Sequence, residues 1–279
     1  MKFAPFLVIS AVLTASGLAE TLKINGSTTV NLPVAEAAEI LRAEQKLDIQ
    51  VDTQGGSAGG ISMLGDGLVQ VGMASKPVSP EDRAKYPTVT FHEIHIGEDA
   101  VALIVSKDVW DGGVRALTKQ QVRDIYESKI TNWKDVGGAA QRIAFFNKEP
   151  GRGTWEVFVH WLYGSAKAAP QVSFPEVGGN EETRNKVAST KGALSQLSAS
   201  WADGKRVFAL AIKLDDGSTV EPTEANIAGH KYPLSRPLFL LTKGAPTGAA
   251  KTLVDFLLGE RGQELVKKHG YLRLKDLVK

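Results

Sequence analysis

Three times in the 279-residue chain an apolar run of strand character breaks into a short turn of glycines and hydroxyl residues, then resumes as a helix. The first passage runs from Thr21-Leu22-Lys23-Ile24 through Asn25-Gly26-Ser27-Thr28-Thr29 into a helix expected from about Leu32 to Ala43. Val34, Ala37, Ala38 and Leu41 share one face of that helix, and Pro33 falls in the first turn, where it is tolerated. The second follows Asp48-Ile49-Gln50-Val51-Asp52-Thr53, where Gln54-Gly55-Gly56-Ser57-Ala58-Gly59-Gly60 leads into a short helix through Leu64. The third follows Ile143-Ala144-Phe145-Phe146, where Asn147-Lys148-Glu149-Pro150-Gly151-Arg152-Gly153-Thr154 opens a helix carrying Trp155, Phe158, Val159 and Leu162. Repeated passage from strand to helix restricts the chain to the α/β class.

Such turns suit anions. Glycine lets the backbone turn tightly and bring its N–H groups close to a ligand, and the following helix aims its unpaired N–H groups and dipole at the same point. Lys148 and Arg152 add positive charge to the third turn. Each turn alone also fits a plainer role, as a solvent-facing connection whose Ser and Thr hydroxyls cap the helix. Three in one chain favour a shared anion site. A fourth strand, Val69 to Ala74, ends at Ser75-Lys76, ahead of a helix with Ser79 as N-cap and Pro80 at its first position. Ligands of open α/β sheets collect at such carboxyl ends.

The chain ends and composition narrow the compartment and the partners. Lys2, the apolar Phe3 to Thr14 and the small residues Gly17-Leu18-Ala19 read as a signal peptide cleaved after Ala19, so the protein is expected in the periplasm. No cysteine is present, which excludes disulfides and a lipid-bearing N-terminal cysteine. Lys and Arg number 33 against 31 acids, without a basic block, so a nucleic-acid partner is not expected and any anion preference must be local. His92 and His95, in a strand, would face opposite ways, so no metal site is expected, and no cofactor.

One rival reading needs weighing. Gly55-Gly56-Ser57-Ala58-Gly59 fits the G-x-S-x-G nucleophile elbow, which would make the chain a secreted serine hydrolase. Only one strand and one helix precede it, no His-Gly pair lies upstream for an oxyanion loop, and no histidine is marked as a base.

The order of motifs resembles the periplasmic phosphate-binding proteins of phosphate ABC transporters over nearly the whole mature sequence. The anion loops are similar at Gly26-Ser27-Thr28-Thr29-Val30, Gly56-Ser57-Ala58-Gly59-Gly60 and Gly151-Arg152-Gly153-Thr154, and the strand end at Ala74-Ser75-Lys76. The most specific match runs from Leu117-Thr118-Lys119-Gln120-Gln121-Val122 through Asn132-Trp133-Lys134-Asp135-Val136-Gly137-Gly138. Tyr232-Pro233-Leu234-Ser235-Arg236-Pro237 is similar near the end. Read from its own residues, the 117–138 segment is structural, with Thr118 capping a helix and Trp133 anchoring the next turn.

The resemblance implies a two-lobed periplasmic binding protein of type II, with two hinge-crossing strands and the ligand in the interdomain cleft. The expected division is a signal peptide at 1–19, lobe I at 20–105 plus 236–279, and lobe II at 106–235, with crossings near Val105 to Lys107 and Tyr232 to Pro237. The implied ligand residues are Ser27, Thr28, Thr29, Ser57, Ala58, Gly59, Ser75 and Lys76 from lobe I, with Lys148, Arg152, Gly153 and Thr154 from lobe II. The implied role is non-catalytic: a monomer captures inorganic phosphate and delivers it to an inner-membrane permease.

Several positions depart from the best-known form of the family. Lys76 stands for an aspartate, Lys148 for an arginine, Pro150 for an aspartate and Arg152 for a serine. The expected site is therefore unusually cationic, with Arg152 taking over the arginine role and Glu149 the nearest acceptor unless it pairs with Lys148. Sulfate, a larger phosphorylated or carboxylated ligand, or a sensing role stay open. Where the family carries a Gly-Ala-Ile-Gly-Tyr-like turn, this chain has Gly192-Ala193-Leu194-Ser195-Gln196, inside a stretch read as helical from Glu181 to Trp201.

Overall fold

The protein is represented by a computed structural model that describes residues 21–278, so the expected signal peptide lies outside the described residues. The N-terminal part runs β1 (Leu22–Gly26), α1 (Asn31–Gln45), β2 (Ile49–Asp52), α2 (Gly56–Gly65), β3 (Val71–Ala74), α3 (Pro80–Lys85) and the long β4 (Phe91–Ser106). The middle runs α4 (Lys107–Asp111), β5 (Ala116–Thr118), α5 (Lys119–Tyr126), β6 (Ala144–Lys148), α6 (Gly153–Tyr163), β7 (Glu176–Val177), α7 (Asn180–Ser189), β8 (Ala193–Ser198), β9 (Val207–Lys213), β10 (Thr219–Val220) and α8 (Glu224–Ala228). The chain then returns through β11 (Ser235–Lys243) and closes with α9 (Gly248–Leu258) and α10 (Glu260–Lys268).

These elements form two α/β lobes sharing one curled sheet, in the order β2-β1-β3-β11-β4-β8-β6-β7. In the first lobe β1 lies between β2 and β3, both parallel to it, and β11 runs antiparallel between β3 and β4. Its core joins Leu22, Ile24 and Val71 to Val34 and Leu41 of α1 and Leu253 and Leu257 of α9. The second core gathers Leu103, Val105, Tyr126, Trp133, Phe145 and Phe158. Trp133 anchors its turn as expected, since its buried indole N–H donates to the Gly192 carbonyl at 3.0 Å. Thr118 caps α5 in a reciprocal box with Gln121.

Two sequence expectations change. The lobes are joined by β4, which runs unbroken over 16 residues through Gly97-Glu98-Asp99. Residues up to Ala100 pair with β11, and from Val101 onward the strand pairs with β8, so the change of partner falls upstream of the expected crossing at Val105 to Lys107. The stretch read as helical from Glu181 to Trp201 is helical only through Ser189, and Ala193–Ser198 is the fully buried strand β8 between β4 and β6. Its alternating Ser and Gln lack an apolar strand pattern because they serve polar contacts: Gln196 accepts the Lys148 N–H at 3.1 Å and donates to Asn147 Oδ1 at 3.2 Å.

Two glycines set how closely α2 seats on the sheet. Gly26 has φ +143°, and a Cβ there would lie 2.1 Å from the Met73 carbonyl oxygen. A Cβ on Gly60 would lie 2.7 Å from the same oxygen and 2.8 Å from the Asn25 oxygen. Only hydrogen fits at either place, and the N-terminus of α2 is thereby brought beside the ends of β1 and β3.

Candidate functional site

The turns that are distant in sequence meet face to face. Ser27, Thr28, Thr29, Gly56, Ser57 and Ser75 on the first lobe face Lys148, Arg152, Gly153, Thr154 and Asn180 on the second, around one narrow pocket. On the first wall the serines hold one another. Ser27 Oγ accepts the N–H groups of Thr29 at 3.2 Å and Val30 at 3.4 Å, capping the approach to α1, and donates to Ser75 Oγ at 3.0 Å. Ser57 Oγ accepts the Ser75 N–H at 3.1 Å. This wall is neutral, and its serine hydroxyls are held by one another and by the backbone.

The second wall closes on it tightly. A Cβ on Gly153 would lie 2.5 Å from Ser75 Oγ and 2.8 Å from Ser57 Oγ, so this glycine is what permits the approach. Arg152 lies across Gly56, where a Cβ would be 3.0 Å from its Cδ. Its Nε and one Nη bond Glu149 Oε2 at 2.9 and 2.7 Å. Its other terminal nitrogen, Nη1, is buried with no partner among the described residues. A buried cationic N–H without an acceptor is costly, and an anion in the pocket would satisfy it. Glu149 thus pairs with Arg152 and not with Lys148.

Lys148 is fully buried, and its ammonium donates to the carbonyls of Gly178 and Gly179 at 2.7 and 3.1 Å and to Thr183 Oγ1 at 2.5 Å. Burial, together with the Arg152 and Arg236 guanidinium groups, pushes it well below the ordinary lysine range. Its charge bears on the pocket while its donors hold the turn before α7.

Three of the expected ligand residues are not brought into the pocket. Lys76 turns away to Asp82 at 2.7 Å and to Glu156, across the cleft, at 2.8 Å. Burial alone would lower its pKa, but the two carboxylates overcome it and hold the ammonium above its ordinary value. The Ala58 N–H donates to the Gly151 carbonyl of the opposite lobe at 3.0 Å, and the Gly59 N–H to the Gly55 carbonyl at 3.0 Å, so neither is free for a ligand. The pocket is therefore less cationic than the sequence suggested.

Two residues at the site were not singled out from the sequence. Asn180, 2% exposed at the start of α7, donates from Nδ2 to Thr29 Oγ1 at 3.0 Å across the lobes. The turn Gly178-Gly179-Asn180 entering a helix was its available signal, a fourth passage of the same kind. Arg236 on β11 is 1% exposed and paired with buried Asp99 at 3.0 and 2.7 Å. Its remaining donors go to Thr29 Oγ1 at 3.2 Å, Ser75 Oγ at 3.3 Å and Thr154 Oγ1 at 3.0 Å. A guanidinium carries five N–H donors, and all are spent here. Arg236 organises hydroxyls from both lobes while Asp99 neutralises it. A lone arginine in a strand next to proline gave no hint of burial.

Among the described residues no carboxylate lines the pocket. Ser57, the would-be nucleophile, bonds only serine groups through its hydroxyl, and no described histidine bonds to it. The arrangement offers hydroxyl donors, one unsatisfied guanidinium N–H and a helix N-terminus from each lobe, which suits holding a small oxyanion.

Comparison with known proteins agrees with this geometry. A profile of the PBP superfamily domain matches residues 12–261. The phosphate-binding protein PstS of Bacillus subtilis is 31% identical over 263 residues, spanning 92% of this chain and 82% of the relative. Among solved structures, one from Clostridium perfringens, assigned as a phosphate ABC transporter substrate-binding protein and carrying bound phosphate, superposes with a TM-score of 0.80 at 30% identity, covering 91% of this chain and 100% of the other. An ABC-type phosphate transport receptor from Vibrio cholerae superposes with a TM-score of 0.72 at 28% identity, covering 90% and 99%.

Proposed function

The chain belongs to the PBP superfamily, and on that premise we propose that it captures inorganic phosphate outside the cytoplasm and hands it to an ABC permease, acting as a binder and not as an enzyme. The observation that carries this reading is the pocket between the lobes, where a buried guanidinium N–H of Arg152 lacks an acceptor among hydroxyls contributed by both sides. In a water-poor site, fixed dipoles and one localised cation meet the lone pairs of a small dianion at low reorganisation cost.

We propose Ser27, Thr28, Thr29, Ser57, Ser75, Arg152, Gly153 and Thr154 as the anion cradle, with Lys148 adding charge from behind and Arg236 and Asn180 holding the hydroxyls. The proposed lobes are residues 20–105 plus 236–279 and residues 106–235, of a periplasmic monomer whose signal peptide is removed after Ala19. Because contacts from both lobes are complete only on closure, the anion shifts the hinge equilibrium toward the closed form, which the permease then reads. Calorimetric titration tests this. Phosphate is expected to bind one per chain at micromolar affinity or better, and absence of binding contradicts the reading.

A further inference from the structure

Lys76 follows Ser75 of the first wall directly and is buried, yet it does not line the anion pocket. It lines a separate groove with Asp82, Glu156 and Trp161. There its ammonium lies between two carboxylates, one from each lobe: Asp82 on α3 at 2.7 Å and Glu156 on α6 at 2.8 Å. Glu156 stands two residues after Thr154, so this pair joins the lobes close to the anion pocket without entering it. A second ion pair, Lys167 to Glu81 at 3.0 Å, crosses at the same edge, but both of its groups are largely exposed. Exposed pairs of that kind contribute little.

The two carboxylates differ in what else holds them. Asp82 also accepts the Ser79 hydroxyl at 2.9 Å, within the box that caps α3, so its place is fixed inside the first lobe. Glu156 has no other ion-pair partner among the described residues. Burial lifts the Glu156 carboxyl above its ordinary range; Lys76 pulls it back, and the charge of Asp82 pushes it up further. The ammonium gains from the arrangement, being held above its ordinary value, while the second-lobe carboxylate stays burdened by lost water. Without the ammonium, closing would bring two like charges together with one of them buried and unpaired, which is costly.

We infer that Lys76 is a positioning residue for ligand capture, a charge bridge that ties Glu156 of the second lobe to Asp82 of the first and so sets how long the cleft stays closed over its anion. It acts through Glu156 and touches no ligand. This rests on the reading above, in which a bound anion closes the lobes. The bond to Glu156 forms only when the lobes meet, so its loss acts on the release rate, whereas a charge felt at a distance acts on the rate of encounter.

The test is stopped-flow mixing of the mature protein with phosphate, followed by tryptophan fluorescence, with Trp161 in the same groove as a built-in reporter. Lys76→Met is expected to raise the phosphate off-rate about three- to tenfold and to leave the on-rate within about twofold of the parent. Adding Glu156→Gln is expected to return the off-rate to within about twofold of the parent, because the carboxylate that needs the bridge is gone. Glu156→Lys, at a partly exposed position of α6, sets two ammonium groups against Asp82 and is also expected to raise the off-rate; it decides the matter if Lys76→Met does not fold. Unchanged off-rates, a loss carried by the on-rate, or a double variant as fast to release as Lys76→Met would each overturn the inference and leave the phosphate reading intact. A parent chain that binds no phosphate overturns both.

Discussion

The two walls of the cleft are built on different principles. The first-lobe wall is neutral, and its serines bond one another and the backbone, so its shape is fixed without a partner. The second-lobe wall carries the charge: Lys148 on carbonyl oxygens without a carboxylate on its ammonium, Arg152 half-satisfied by Glu149, and Gly153 leaving room for the opposite serines. The difference teaches a division of labour in which one wall supplies geometry and the other supplies cost that a ligand relieves. Arg236, reaching hydroxyls on both walls from β11, ties the two together.

That contrast can be broken most severely at the tie. Arg236→Met leaves Asp99 buried and unpaired, which is expected to destabilise the protein by about 3 to 5 kcal/mol, read as a shifted urea midpoint. The double change with Asp99→Asn is expected to recover part of the loss, because the uncompensated charge is gone. Next comes the charged wall itself. Arg152→Ser is expected to weaken phosphate binding by roughly 1.5 to 3 kcal/mol, and Lys76→Ala by less, since the Lys76 ammonium lies on Asp82 and Glu156. Equal losses in calorimetry would mean that Arg152 is not the cation at the anion.

The fit between walls gives a further test. Gly153→Ala introduces a methyl within 3 Å of both serine hydroxyls, and overpacking of this kind costs roughly 1 to 3 kcal/mol. The loss should appear in affinity and in scattering-derived compaction on ligand addition, while the unfolding midpoint stays near that of the parent. A lowered midpoint with unchanged affinity would place the strain in a lobe interior instead.

The smallest expected effect concerns pH. Lys148 is pushed down by burial and by the Arg152 and Arg236 guanidinium groups. A bound dianion favours its charged form, so the complex holds a proton that the free protein gives up. Affinity for phosphate, measured at alkaline pH where the free ion is already a dianion, is therefore expected to fall as pH rises through the lowered Lys148 pKa. Lys148→Met should flatten that slope, and an unchanged slope would remove Lys148 from the account.

The strand-to-helix turns were legible because glycine and hydroxyl residues after an apolar run have few other uses, and they led to the pocket and the α/β class. Lys76 misled because a cation at a strand end next to a serine looks like a ligand group, while Glu156, which takes it up across the cleft, is far away in sequence. β8 reads as helix from the sequence because its Ser195 and Gln196 break the apolar run that a buried strand should show, and Gln196 is polar because it meets Asn147 and Lys148 on β6. Arg236 was hidden for a related reason. Its burial depends on Asp99, whose pairing with it is fixed only when β4 and β11 lie side by side.

A crystal structure grown with arsenate, a heavier tetrahedral relative of phosphate, tests the central claim most directly. The account expects one anomalous arsenic peak between the lobes, with its oxygens in hydrogen-bond reach of Arg152 Nη1 and the hydroxyls of Thr29 and Thr154. A fully occupied peak elsewhere, with Arg152 Nη1 still without an acceptor, would contradict it.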